Sequence, residues 1–210
     1  MDFYNLLPSP TEQVTVVGQT GSGKSVWLKK LLIPYITKRQ IIIIDSKHDD
    51  VWNGMGKIVK TPQEIYRQKF KKVPVVVYRP EGSYGADYGV YDEIFEWVYN
   101  RGNTVIAVDE SGKVVKNANS MGKGLDDITT RGRKREILRV FGMQRPVNVP
   151  RVMLSESSRF YVKYVVDQKD RDRLAEFGGP FLKSEIEDRW GMKYVNIATR
   201  ERYYFPNPPK

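Results

Sequence analysis

Gly18-Gln19-Thr20-Gly21-Ser22-Gly23-Lys24-Ser25 stands between Val14-Thr15-Val16-Val17 and Val26-Trp27-Leu28-Lys29-Lys30-Leu31-Leu32. The eight central residues fit G-x-x-x-x-G-K-[ST], the phosphate-binding P-loop. The β-branched run before them reads as a buried strand. After them the apolar residues at 27, 28, 31 and 32 recur with helical spacing. Strand, glycine-rich loop and helix form the context that a phosphate cradle needs. Gly18, Gly21 and Gly23, with Thr20 and Ser22 between them, let the backbone curl so that successive N–H groups face one anion at a helix N-terminus. Lys24 is expected to reach the β- and γ-phosphates and the Ser25 hydroxyl to bind Mg²⁺. A chance glycine–serine turn has no reason to carry both flanks.

The chain has 210 residues, enough for one α/β domain with a substantial core. Its 35 Lys and Arg against 25 Asp and Glu leave a net charge of +10, which favours a polyanionic partner. The absence of cysteine excludes a disulfide framework and Cys-based zinc sites, and fits an intracellular protein. No apolar run approaches ~18 residues and no signal pattern opens the chain, so a soluble protein without a membrane segment is expected.

Further elements follow in order. Ile41 to Ile44 reads as a second buried strand. Thr61-Pro62-Gln63-Glu64 carries the signature of a helix start. Val73 to Tyr78 is a third strand, and 82–89 a loop. Tyr91, Ile94, Phe95, Val98 and Tyr99 mark an amphipathic helix. Val105-Ile106-Ala107-Val108-Asp109-Glu110 is a fourth strand ending in two acids. A mobile loop is expected over 111–124, a helix over about 125–136, and a fifth strand over 140–144. Strand-like 159–166, a helix around 170–177 and a hairpin from 193–198 to 202–205 complete the chain. Strands alternating with helices predict an α/β fold: a mostly parallel sheet with helices on both faces and a small C-terminal hairpin addition. We read a single domain over 1–210, with a core of about 12–177 and an extension over 178–210.

A strand of branched apolar residues ending in Asp is the Walker B pattern, so Asp109 is expected to hold the Mg²⁺ shell. Glu110 is then placed to polarise the water that attacks the γ-phosphate. Gln144 ends the next strand, where an amide can bond both the γ-phosphate and that water. A GTPase reading is weaker. Asp109-Glu110-Ser111-Gly112 fits D-x-x-G, but Ser46-Lys47-His48-Asp49 begins with the wrong residue for a guanine-reading motif and precedes Asp109. His48, the only histidine, reads as a surface residue, and no metal-ligand cluster is visible.

Residues 111–135 hold seven basic residues against Asp126 and Asp127, a net +5. A loop carrying Lys113, Lys116 and Lys123 could follow a phosphate backbone without reading bases. Arg67, Lys69, Lys71 and Lys72 read instead as a solvated helix end.

The combination of residues 18–25, Val108-Asp109-Glu110, Gly132-Arg133 and Gln144-Arg145-Pro146 resembles the FtsK/HerA superfamily of DNA-pumping ATPases. Asp45-Ser46-Lys47 is similar to that family's Asp-Pro-Lys element. The compact length and Asp170-Arg171-Asp172-Arg173-Leu174 are similar to the viral genome-packaging branch, in particular that of archaeal turreted icosahedral viruses. The resemblance implies ATP and Mg²⁺ as cofactors and a homo-oligomeric ring, often a hexamer, threading double-stranded DNA. It implies a capsid or portal-vertex partner, with the motor in the host cytoplasm at the procapsid. It also implies an arginine that completes a neighbour's site; Arg133 matches the Gly-Arg element, with Arg131 and Arg159 as alternatives. The short lead before the first strand leaves no room for a membrane segment or barrel, and no winged-helix tail is apparent. Other DNA-pumping roles in this superfamily and a nucleotide-gated binding module are the rival readings.

Overall fold

Four isoleucines in succession can all leave water only in a strand covered on both faces, and Ile41 to Ile44 are each 0% exposed. The computed structural model describes residues 3–82 and 87–206, and residues 83–86 of the loop expected at 82–89 lie outside them. Its strands are β1 (Gln13–Val17), β2 (Gln40–Ile44), β3 (Lys57–Val59), β4 (Val75–Tyr78), β5 (Thr104–Val108), β6 (Leu138–Met143), β7 (Arg159–Val162), β8 (Met192–Asn196) and β9 (Arg202–Phe205). Among the described residues they form one nine-stranded sheet in the order β3-β4-β2-β5-β6-β1-β7-β8-β9. All pairings from β3 to β7 are parallel, and β8 and β9 continue the sheet antiparallel. The predicted α/β class is therefore the observed one. The hairpin lengthens the main sheet instead of standing apart from it.

The helices are α1 (Lys24–Leu32), α2 (Pro62–Tyr66), α3 (Tyr88–Arg101), α4 (Lys123–Arg131), α5 (Arg151–Ser155) and α6 (Gln168–Gly178). On one face, Trp27, Leu28, Leu31 and Leu32 of α1 pack with Ile41 and Ile43. On the other, Tyr91, Ile94, Phe95 and Val98 of α3 join Ile42 and Ile44. The period of two along β2 thus assigns alternate isoleucines to opposite cores. At roughly 1.5–3 kcal/mol for each buried side chain, this strand is a main source of cohesion.

Three details depart from the sequence reading. Strand β3 has no apolar signature, because Lys57 and Ile58 are exposed and only Val59 is buried. The short helix α5 is likewise absent from the sequence pattern. The segment expected to be a mobile loop at 111–124 is folded: Ser111–Lys113 form a 3-10 turn, Asn117 bridges Ser120, and α4 already begins at Lys123. Val114 and Val115 are buried in the core beside α3 and α4, and this apolar anchoring is what orders a polar stretch.

One close approach fixes the spacing of the central strands. A Cβ added to Gly142 of β6 would stand 2.6 Å from the Asp109 carbonyl oxygen and 2.7 Å from Leu28 Cδ1. Gly142→Ala should therefore cost about 1–3 kcal/mol, because backbone cannot yield as a side chain does. A urea-unfolding midpoint equal to that of the parent would show that β5 and β6 are not so tightly coupled.

Candidate functional site

The P-loop connects β1 to α1 at the C-terminal edge of the sheet. Gly21 and Gly23 have φ of +76° and +81°, a region that L side chains rarely adopt, which is why these two positions are glycine. Gly18 serves close packing instead: a Cβ there would lie 2.4 Å from Ser22 Oγ and 2.8 Å from Lys163 Cβ.

In the sheet β6 lies between β1 and β5, and β2 lies on the far side of β5. Because these strands are parallel, the residues ending them converge on one edge. Lys24, 5% exposed, donates to the Asp109 carboxylate at 2.8 Å and to its carbonyl at 2.5 Å. Ser25 Oγ donates to the same carboxylate at 2.9 and 3.1 Å. Glu110 is 7% exposed and both its oxygens are held. Oε1 accepts the Gln144 backbone N–H at 3.2 Å, and Oε2 accepts from Lys47 Nζ at 2.7 Å. The Gln144 amide reaches across to Thr20 Oγ1 at 3.0 Å. The candidate residues from three separate segments, joined by Lys47, thus form one connected network.

The supporting residues explain its placement. Asp45, at the end of β2, accepts from Arg79 Nε at 2.7 Å and from the Asp49 N–H at 3.0 Å. Burial nevertheless raises its carboxyl above the usual range. These contacts turn the chain so that Lys47 faces Glu110. Arg145 pairs with Asp167 at 2.9 Å and with buried Asp170 at 2.5 Å, while Asp170 also accepts the Val147 N–H at 3.1 Å. The Gln-Arg-Pro turn is thereby fastened to α6, and two stretches singled out separately in the sequence meet in space. Burial raises the Asp170 carboxyl as well.

A cavity of about 370 Å³ opens here, lined by Thr20, Lys24, Ser25, Asp109, Gln144 and Trp190 among others. Its size suits a small polyanionic ligand. No group of three or more His, Asp or Glu side chains gathers among the described residues. The hydroxyl of Ser25 against the Asp109 carboxylate is instead a pair of hard oxygen donors. That set fits Mg²⁺, which takes few protein ligands and completes its shell with phosphate and water.

The arginines expected as interface fingers lie elsewhere. Arg131 pairs with Asp127 and stacks over Tyr99, and Arg159 bonds Glu12 at 2.8 Å and the Tyr194 hydroxyl at 2.7 Å. Both are committed within the chain. Arg133 is exposed on the 3-10 turn Gly132–Arg135, with no ion-pair partner among the described residues. That turn leads into β6, so Arg133 sits at the sheet edge opposite its own P-loop.

The basic stretch 111–135 does not form one patch. Lys113, Lys116 and Lys123 are exposed; Lys113 stands on the turn that directly follows β5 at the edge carrying the site, whereas Lys123 lines a cavity with Arg131 against α3. Nine-residue α4 then carries the chain about 13 Å away before Arg131 to Arg135. Arg135 is also occupied, donating to the Tyr99 and Asn100 carbonyls at the end of α3. Lys123 lies 3.6 Å from Glu96, and Lys116 stands over the Tyr88 ring.

Two features of the site have no signature in the sequence. Lys47 belongs to Asp45-Ser46-Lys47, but nothing in that spacing signals that it meets Glu110. The segment 188–191 belongs to the C-terminal extension, yet Trp190 lines the cavity.

No protein-family model matches the chain. Over 174 residues it is 26% identical to the DNA packaging ATPase P9 of Enterobacteria phage PRD1, covering 81% of this chain and 72% of that protein. Among solved structures, it superposes on the genome packaging NTPase B204 from Sulfolobus turreted icosahedral virus 2 in complex with AMPPCP. The TM-score is 0.74 at 15% identity, over 96% of this chain and all of that one. The fold is that of the genome packaging NTPase B204. The complex of B204 with ATP-gammaS gives a TM-score of 0.73 at 16% identity, over 94% of this chain and 97% of that one. VirB4 of Thermoanaerobacter pseudethanolicus shares the same fold more distantly, with a TM-score of 0.67 at 12% identity, over 94% of this chain and 89% of that one. The resemblance read from the Walker and Gln-Arg-Pro segments is thus borne out. No helix among the described residues is long and apolar enough to cross a membrane.

Proposed function

We propose that this chain is an ATP-driven motor that pumps double-stranded viral DNA into a preformed capsid. It acts at the procapsid in the host cytoplasm, as a homo-oligomeric ring, hexameric by the resemblance, docked on a capsid or portal-vertex protein. The observation that carries the reading is the meeting of Lys24, Ser25, Asp109, Glu110 and Gln144 at one sheet edge. The relative named a DNA packaging ATPase supports the choice of cargo.

Lys24 swings from Asp109 to the β- and γ-phosphates, which the backbone N–H groups of 21–25 cradle. Ser25 and Asp109 would hold Mg²⁺, which would supply charge neutralisation to the phosphates. Glu110 takes the proton of the attacking water as the new P–O bond forms and the bond to the β-phosphate oxygen breaks, releasing ADP and phosphate. Gln144 orients the water and the γ-phosphate. Arg133 approaches the neighbouring subunit's γ-phosphate. Its exposure on the 3-10 turn, with no ion-pair partner among the described residues, supports this choice.

Lys113, Lys116 and Lys123 grip the DNA backbone. Replacing all three by Ala should lower the slope of log affinity against log salt by up to about 2.7, at roughly 0.9 for each phosphate no longer neutralised. DNA-stimulated hydrolysis should weaken while ATP binding is retained. The experiment titrates parent and triple variant against unrelated duplexes at several salt concentrations. Identical slopes would return these lysines to the solvated surface, and a strong sequence preference would count against a packaging motor.

A further inference from the structure

The phosphate loop has two flanks, and only one is used by the chemistry above. Toward β6 and β5 stand Gln144, Glu110 and Asp109. Toward β7 stands Trp190, with a six-membered-ring carbon 3.6 Å from where a Cβ on Gly23 would lie. The residue is 58% exposed, an unusual state for so large an apolar side chain.

This tryptophan is not loosely placed. Lys163, just beyond β7, donates to the Trp190 carbonyl at 2.8 Å. The Trp190 N–H donates to Asp188 Oδ1 at 2.9 Å, and the Gly191 N–H to the Asp188 carbonyl at 2.8 Å, closing a tight turn. Arg189 reaches the Thr20 carbonyl at 3.3 Å. Lys163 is itself buried, and that burial brings its ammonium down to about 8. Four bonds therefore hold an exposed aromatic ring against the P-loop. One helical turn beyond Gly23, Val26 is 50% exposed and lines the same cavity.

We propose that Trp190 is the stacking platform for the nucleobase, with Val26 as the apolar floor beside it. The proposal rests on the nucleotide reading of the P-loop. A triphosphate laid with its γ-end at Glu110 and Gln144 has its nucleoside end on the other side of the loop, the Trp190 side. An exposed indole in the cavity wall offers a base the surface it stacks on best, and stacking tolerates any base because each has a π-face. The C-terminal extension thus completes the nucleotide site without selecting adenine over guanine.

Binding is measured by titration calorimetry with ATP, GTP and inorganic tripolyphosphate. Trp190→Ala should weaken ATP and GTP alike by roughly five- to hundredfold, the range stacking contributes. Tripolyphosphate affinity should stay unchanged, because that ligand has no base. Trp190→Phe should keep most of the affinity. Of the chain's four tryptophans, Trp27 and Trp52 are buried and Trp97 is half-buried, so the nucleotide-induced fluorescence change should vanish in Trp190→Phe. Equal loss of tripolyphosphate and ATP in Trp190→Ala would make the role structural and overturn the proposal, as would unchanged ATP affinity. A parent protein that binds neither ATP nor tripolyphosphate would overturn the P-loop reading itself.

Discussion

Glu110→Gln should bind ATP about as tightly as the parent and hydrolyse it roughly 10²–10⁴ times more slowly, the usual contribution of a positioned general base. The amide keeps the size of the side chain and can still accept the Gln144 N–H, which the carboxylate now does at 3.2 Å. What it loses is the ability to take a proton from water. Lys24→Ala should behave in the opposite way. The cavity then lacks the cation that faces the phosphates, and binding falls before chemistry is reached. Calorimetric ATP affinity together with phosphate release separates the two effects. Turnover of Glu110→Gln at the parent rate would remove Glu110 from the mechanism and leave its contact with Lys47, at 2.7 Å, as a structural ion pair.

An equally large effect is expected at the other edge of the sheet. Arg133→Ala should bind ATP normally and turn over about 10³–10⁵ times more slowly, the range for an arginine finger supplied by a neighbour. Arg131 and Arg159 are poorer candidates because each already has an acidic partner in its own chain, Asp127 and Glu12. Breaking such a pair to reach a neighbouring site costs energy that exposed Arg133 does not spend. Mixing Arg133→Ala with Lys24→Ala should restore part of the activity, since some interfaces then join an intact P-loop to an intact arginine. Mixtures that co-assemble and stay inactive would place the arginine's role within its own subunit or nowhere.

The P-loop, the Walker B strand and the α/β class could be read in one dimension because their physics is local. Residues 18–25 form a phosphate-binding pattern through their own backbone, and Ile41 to Ile44 can be satisfied only between two layers of helices. Alternation of strand and helix patterns leaves a parallel sheet as the simplest way to cover them. The roles expected of Asp109, Glu110 and Gln144 needed one further step, that parallel strands end on a common edge.

What only the tertiary structure decided depends on which segments become neighbours. Lys47 meets Glu110 because β2 lies beside β5, and Arg145 meets Asp170 because the Gln-Arg-Pro turn packs on α6. Trp190 reaches Gly23 because β8 folds back antiparallel on β7. The division of the basic stretch 111–135 has the same origin. A sequence window sums its charges, whereas the fold sets Lys113 beyond the end of β5 and Arg133 before the start of its parallel neighbour β6. Periodicity and motif spacing encode which way a side chain faces on its own element. Strand order is set by the competition of whole segments for burial, and it alone determines which distant side chains share a site.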